Sequence, residues 1–265
     1  MSSDKPLILV TNDDGIHAPG ILALARAMES LGDVKVVAPD SEKSAVGHAI
    51  TITDPLRVWE FEREGRFFGY AVNGTPADCV KLAAKALLPR IPDLVVSGIN
   101  QGPNTAMNVM YSGTVSAATE GTLMGIPSIA FSLTSFKPFD FSPSATFARH
   151  LAEIVLQNGL PDGTLLNVNI PPRELKEIKG VKFTRQGKGR YEELFDKRID
   201  PWNRTYYWLS GKRLFLDSEP DVDDVAVMDD YIAITPIQFD LTDYKLLDDL
   251  KSWKVGLPDG KSTDS

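Results

Sequence analysis

The stretch that most constrains this chain is Leu7-Ile-Leu-Val-Thr-Asn-Asp-Asp-Gly-Ile16. Leu7 to Val10 is an unbroken apolar run, which predicts a short strand buried on both faces. The run stops at Thr11-Asn12-Asp13-Asp14-Gly15, and His17-Ala-Pro-Gly20 leads into a helical pattern from Ile21 to Leu31. Pro19 suits a first helical turn, where a missing N–H costs nothing. The unit is strand, acidic turn, helix. It sets two carboxylates at the carboxyl end of a central strand, the edge at which open α/β sheets bind ligands. Adjacent carboxylates repel, and burying them unpaired is costly. A bound cation removes both penalties, but a solvated Asp-Asp-Gly turn avoids them too. The dipeptide alone leaves both readings open.

The rest of the chain alternates strands with helices. A strand is expected over Val34 to Ala38, followed by the polar loop Asp40 to His48. Thr51 to Glu62 and Phe67 to Val72 are rich in β-branched and aromatic residues and read as an antiparallel hairpin. Thr75-Pro76-Ala-Asp78 carries an N-cap, a first-turn proline and a capping acid, so a helix is expected to about Leu88. A strand at Leu94 to Val96 opens into the Gly/Asn/Pro loop Ser97 to Asn104. A helix follows Tyr111-Ser112-Gly113-Thr114 as far as Leu123. A strand over Ser128 to Leu133, a helix from Ser142 to about Leu156 and a strand over Leu165 to Ile170 complete the pattern. The expected fold is α/β, a Rossmann-like, doubly wound, mostly parallel sheet.

Residues 1–175 are expected to form that Rossmann-like core, and the composition shifts after Pro172. Residues 176–240 read as a β-rich extension that returns to the core. Strands are expected at Val181 to Gln186, Tyr191 to Ile199 and Thr205 to Leu209, with a tight turn at Ser210-Gly211-Lys212 before Arg213 to Leu216. Trp202, Tyr206, Tyr207 and Trp208 are more aromatic surface than a lone ribbon can bury, so the core or another subunit is expected to cover them. Glu219 to Asp224 reads as a solvated acidic loop and Tyr231 to Thr235 as the last strand. Residues 241–265 are expected to be a helix over Leu241 to Trp253 and a disordered tail from Pro258.

Composition narrows the function classes. A net charge of −8 argues against a surface that coats nucleic-acid polymers. One cysteine, Cys79, excludes an intrachain disulfide and a thiolate zinc site, and reads as a small buried residue. The first residues lack a signal-peptide core and no apolar run reaches membrane length. A cytoplasmic location with no membrane partner is therefore expected.

Three loops leave carboxyl ends of neighbouring strands: Asn12 to Gly15, Asp40 to His48 and Ser97 to Asn104. Together they offer Asp13, Asp14, Ser44 and Asn100, all oxygen donors, a set that suits Mg²⁺ or Mn²⁺. The helix start at Ser112-Gly113-Thr114 is an anion seat, with Asn12 and Asn104 as further phosphate contacts. Taken singly, Ser44 reads equally as a turn hydroxyl, the asparagines as turn residues and Ser112 as an ordinary N-cap. Taken together they fit metal-assisted phosphate-ester hydrolysis with Asp13 and Asp14 at its centre. A side chain at Gly113 is expected to exclude phosphate while sparing the metal.

The same stretches resemble the SurE family of stationary-phase survival proteins, which are 5′/3′-nucleotidases. ILVTNDDGI, the segment from Ala38 to Thr51, NGTPADCVKLA, DLVVSGINQGPN, YSGTVSAATEG and GIPSIAFS carry the resemblance, in order, over most of residues 7–133. It implies a Rossmann-like fold with a C-terminal hairpin used in homodimer or homotetramer contacts. It also implies one divalent metal ion per subunit on Asp13, Asp14, Ser44 and Asn100, and hydrolysis of nucleoside monophosphates or other small phosphomonoesters. Gln101 stands where many members carry Arg. Competing readings are a covalent phospho-aspartate phosphatase, whose acids are usually spaced by one residue, and a non-catalytic nucleotide-binding module. A metal-dependent deacetylase would need a histidine before Asp13, and Asn12 is there instead.

Overall fold

The computed structural model describes residues 5–137, 139–253 and 255. The first half runs β1 (Leu7–Thr11), α1 (Pro19–Met28), β2 (Asp33–Pro39), β3 (Val58–Arg63), β4 (Arg66–Val72), α2 (Pro76–Leu82), β5 (Leu94–Gln101), α3 (Gly113–Leu123) and β6 (Ser128–Leu133). The second half runs α4 (Ser142–Asn158), β7 (Thr164–Ile170), β8 (Gly180–Phe183), β9 (Arg190–Ile199), β10 (Thr205–Leu214), α5 (Asp223–Met228), β11 (Tyr231–Gln238) and α6 (Tyr244–Leu250).

Nine strands make one sheet in the order β3-β4-β2-β1-β5-β6-β7-β11-β8. The strands from β4 to β7 in that order are parallel. β3 and β11 pair antiparallel to their neighbours β4 and β7. The chain leaves β1 towards β2 on one side and later enters β5 on the other. The gap between β1 and β5 is therefore the topological switch point, where such sheets open a crevice at their carboxyl ends.

Burial follows from alternation along the strands. Ile8 and Val10 of β1 join the core beneath α1 and α4, while Leu9 joins the core beneath α2 and α3. Helices on both faces make the central strands apolar throughout, as the run Leu7 to Val10 predicts. Cys79 lies buried in the second of these cores. The expected capping box of α2 is present: Asp78 N–H donates to Thr75 Oγ1 at 3.1 Å, and Thr75 N–H donates to Asp78 at 2.9 Å. A single π-turn over Ala83–Leu87 carries that helix on to its end.

Four expectations need correction. The hairpin's first strand starts at Val58, because Thr51 is held instead by Asp78, through its N–H at 3.0 Å and its hydroxyl at 2.6 Å. Ser210-Gly211-Lys212 is not a turn but the interior of β10, where Gly211 lies opposite Glu193. The ribbon turns at residues 200–204, where Asp200 accepts the N–H groups of Trp202 and Arg204, each at 2.9 Å. Glu219 to Asp224 is not wholly a solvated loop: Asp223 and Asp224 are buried and open α5. The C-terminal helix is shorter than expected, Tyr244–Leu250. The tail from Pro258 lies outside the described residues. Ribbon β9–β10 forms its own two-stranded sheet, apart from the nine-stranded one. Among the described residues, no helix is long and apolar enough to cross a membrane.

Candidate active site

The acidic turn follows β1 directly and is closed by Asn12, whose Nδ2 donates to the Gly15 carbonyl at 3.0 Å. Gly15 takes a positive φ of 92°, and a Cβ there would press on the backbone of Ser41 at 3.1 Å. Glycine thus lets the first two loops touch. Lys43 N–H then donates to the Asp13 carbonyl at 2.8 Å, and Gly47 N–H to the Tyr111 carbonyl at 3.2 Å. The loop containing Ser44 is stretched between the acidic turn and the segment before α3. From β5, Gln101 N–H approaches Asp14 Oδ2 at 3.4 Å. The three loops meet at the switch point.

Asp13 is buried against the first turn of α3. Thr114 Oγ1 donates to Asp13 Oδ1 at 2.5 Å. A Cβ on Gly113 would lie 2.6 Å from Asp13 Cβ, so the glycine is there to admit Asp13. Ser112 is the N-cap, accepting Val115 N–H at 3.1 Å. Asn104 is buried beneath: its Nδ2 donates to Ser132 Oγ at 2.9 Å and approaches Thr114 Oγ1 at 3.4 Å. Asn167 and Asn169 of β7 donate to the Asn104 carbonyl at 2.8 and 2.9 Å. The order from core to site is Asn167 and Asn169, Asn104, Thr114, Asp13.

Burial pushes both carboxyl groups up. Asp14 is raised to about 7, first by burial and then by the charge of Asp13. Asp13 is raised by burial, against the opposing hydrogen bond from Thr114. Glu42 adds negative charge felt by both. Asn100 Nδ2 donates to the Gly102 carbonyl at 2.9 Å, leaving Oδ1 as its acceptor end. Ser44 is exposed and its hydroxyl donates to Glu42, so it joins the cluster through its loop rather than its side chain. Among the described residues, Asn12 Oδ1, Thr11 Oγ1 and Ser97 Oγ are buried without hydrogen-bond partners, at the carboxyl end of β1 and in the middle of β5. Among the described residues, no three His, Cys, Asp or Glu side chains gather as a metal cluster. Two crowded carboxylates with neutral oxygens fit a hard divalent cation that relieves their repulsion.

A family model described as Survival protein SurE matches residues 8–193. The chain belongs to the SurE family. The "5'-nucleotidase SurE" of Syntrophobacter fumaroxidans is 53% identical over 248 residues, covering 94% of this chain and 99% of that protein. The "5'-nucleotidase SurE" of Chlorobaculum tepidum is 49% identical over 249 residues, covering 94% and 95%. A crystal structure of the SurE protein from Aquifex aeolicus superposes with a TM-score of 0.82 at 45% identity, covering 93% of this chain and 98% of that one.

Sequence reasoning missed some supports of this SurE site. Glu42 was overlooked although it sits two residues from Ser44. Asn167 and Asn169 gave a usable signal, two asparagines at alternating positions in a strand otherwise expected to be apolar. Glu120 of α3 has a side chain 4% exposed and binds His48 Nε2 at 3.0 Å and Lys81 Nζ at 2.6 Å. Its partners hold its carboxyl below the usual range, the His48 hydrogen bond foremost.

Proposed function

We propose that this SurE protein is a divalent-metal-dependent phosphomonoesterase that hydrolyses nucleoside 5′- and 3′-monophosphates to nucleoside and phosphate. The observation that carries the reading is the contact of Asp13 with the first turn of α3, which joins a carboxylate pair, Asp13 buried and Asp14 half-buried, to a helix N-terminus. The names of its relatives support the nucleotide as substrate.

Asp13, Asp14, Asn100 and Ser44 hold one Mg²⁺ or Mn²⁺ ion per subunit, Ser44 after exchanging its bond to Glu42. When bound, the ion supplies charge neutralisation and activates water for attack on phosphorus. Gly113 and Thr114 N–H groups, with the Ser112 cap fixing their turn, hold the non-bridging phosphate oxygens as charge redistributes. Asn104 acts from beneath, orienting the Thr114 hydroxyl, and Asn12 keeps the acidic turn closed. The protein works in the cytoplasm as a homodimer or homotetramer.

Phosphate release from a panel of nucleoside monophosphates, with EDTA and after restoring Mg²⁺ or Mn²⁺, tests the reading. Turnover that stops in EDTA and returns with metal is expected. Undiminished turnover in EDTA, or a trapped phospho-aspartate, overturns it.

A further inference from the structure

The turn that precedes α3 presents large side chains that the site described so far does not use. Residues Ala106–Tyr111 form a 3₁₀ turn. Its start is bolted to the fold. Ala106 N–H donates to Asp223 at 2.8 Å, Met107 N–H to the Gly189 carbonyl at 3.1 Å, and Gln186 Nε2 to the Ala106 carbonyl at 2.8 Å. Thr105 Oγ1 donates to Asp224 at 2.5 Å, and Asp224 is also paired with Arg213. The buried acids of α5 thus have a purpose: they fix where this turn begins.

The other end of the turn lies between two walls of the site. The Tyr111 carbonyl accepts Gly47 N–H, and Ser112-Gly113, packed on Asp13, follow at once. Both termini of the turn are therefore anchored by hydrogen bonds. Yet Met110 is 53% and Tyr111 60% exposed, with Met107 also exposed beside them. Among the described residues, the Tyr111 side chain has no hydrogen-bond or ring partner. An aromatic ring carried on an anchored backbone and left open to solvent beside a phosphate seat has the placement of a ligand contact.

We infer that Tyr111, flanked by Met110, is the platform on which the nucleobase of the substrate stacks. This rests on the nucleotidase reading and adds the residue that meets the base. Every base has a π-face, so stacking holds the nucleoside with little preference among bases. A methionine thioether beside the ring adapts to bases of different size. Phosphate and base are then gripped from consecutive residues: Tyr111 for the base, Ser112-Gly113-Thr114 for the phosphate.

Steady-state kinetics at saturating Mn²⁺ test this, with purine and pyrimidine nucleoside 5′-monophosphates beside ribose 5-phosphate, which lacks a base. Tyr111→Ala is expected to raise KM about tenfold for purine nucleotides and less for pyrimidine ones, with kcat retained. Ribose 5-phosphate kinetics are expected to stay as in the parent, and Tyr111→Phe to behave as the parent with every substrate. Equal losses on ribose 5-phosphate and the nucleotides would make Tyr111 a mere support for Ser112 and overturn the inference. Unchanged KM for every nucleotide overturns it as well, and a changed sedimenting mass with that result assigns the ring to a subunit contact. Adenosine binding by calorimetry needs no turnover, so it separates this inference from the nucleotidase reading. Weaker binding to Tyr111→Ala supports the platform even where the parent hydrolyses only other phosphomonoesters, and equal binding overturns it.

Discussion

Thr114 donates its hydroxyl hydrogen to Asp13 at 2.5 Å while Asn104 approaches the same hydroxyl from the core at 3.4 Å. One hydroxyl thus links the packed interior to the more buried carboxylate of the Asp13–Asp14 pair. Hydrogen bonds to charged groups contribute about 1.5–3 kcal/mol, so Thr114→Val is expected to weaken Mn²⁺ binding by roughly ten- to a hundredfold. Thr114→Ser keeps the donor and is expected to keep most of the affinity. Calorimetric titration with Mn²⁺ checks both. Parent-like affinity in the valine variant would mean that Asp13 is oriented by something else.

Gly113 makes a sharper case. From the sequence, a side chain there blocks phosphate and spares the metal. In the structure, the first atom such a side chain meets is Asp13 Cβ, at 2.6 Å. Gly113→Val is therefore expected to lose metal affinity and phosphate inhibition together, and Gly113→Ala to show both losses in milder form. A valine variant that binds Mn²⁺ normally but is not inhibited by phosphate restores the original expectation.

How far the fold was legible depends on whether a residue's neighbours are local. The strand at Leu7 and the Thr75–Asp78 capping box follow from patterns within a few residues, and they are present. Gly211 misled because glycine usually marks a turn. Here a Cβ would lie 2.3 Å from the Glu192 carbonyl oxygen across the ribbon, so the glycine serves close strand approach. The true turn depends on Asp200 accepting from two backbone N–H groups, which is ordinary Asx chemistry. Asp223 and Asp224 looked solvated because their partners, Ala106, Gly187, Thr105 and Arg213, come from distant segments. In the candidate site, the meeting of the three loops was legible from their place after strands. The Glu120 anchor was not, since burial decides its role and a single sequence does not display it, whereas Asn167 and Asn169 left a signal in their alternation along an apolar strand.

Glu120 ties that last point to an experiment. The Ser44 loop is held by backbone bonds at Lys43 and Gly47 and by the His48 side chain on Glu120. His48→Ala is expected to loosen the loop, speed tryptic cleavage after Lys43 and lower Mn²⁺ affinity about tenfold, the loss of one bond to a charged group. His48→Gln retains a donor nitrogen and is expected to recover most of both. If neither cleavage nor affinity moves in the alanine variant, the His48–Glu120 pair does not hold the Ser44 loop.

The carboxylate pair also predicts how stability depends on pH. Asp14 sits near 7 and Asp13 is raised too, both above the roughly 3.9 of an unfolded aspartate. Between about pH 4 and 7 the folded chain then holds more protons than the unfolded one, so stability from this pair falls as pH rises. Asp78 and Glu120, held below their usual range, act oppositely and weaken the fold only as acid protonates them. In EDTA, Tm is expected to be higher at pH 5 than at pH 7.5, and Mn²⁺ is expected to shrink the difference by compensating the ionised pair. Asp14→Asn should flatten the slope without metal. A Tm that climbs from pH 5 to 7.5 in EDTA contradicts the assignment of a crowded, buried pair.

The ribbon of β9 and β10 is exposed along almost its whole length, with Tyr191, Leu194, Phe195, Ile199, Trp208 and Leu209 among its open apolar residues. A two-stranded ribbon is marginal in water alone, and buried aromatic residues dominate interface energetics. A second copy of the chain is the proposed cover. Removing the outer part of both strands together with the turn at residues 200–204 tests this. The base of the ribbon must stay, since Arg213 is anchored there to Asp224 and Thr105. The shortened protein is expected to sediment at lower mass and to bind Mn²⁺ with parent affinity, because the proposed ligands all precede residue 101. Parent mass across a dilution series would show that the ribbon does not hold the subunits together. Lower mass with intact metal binding but lost turnover would assign the ribbon a further task, covering the neighbouring subunit's cleft.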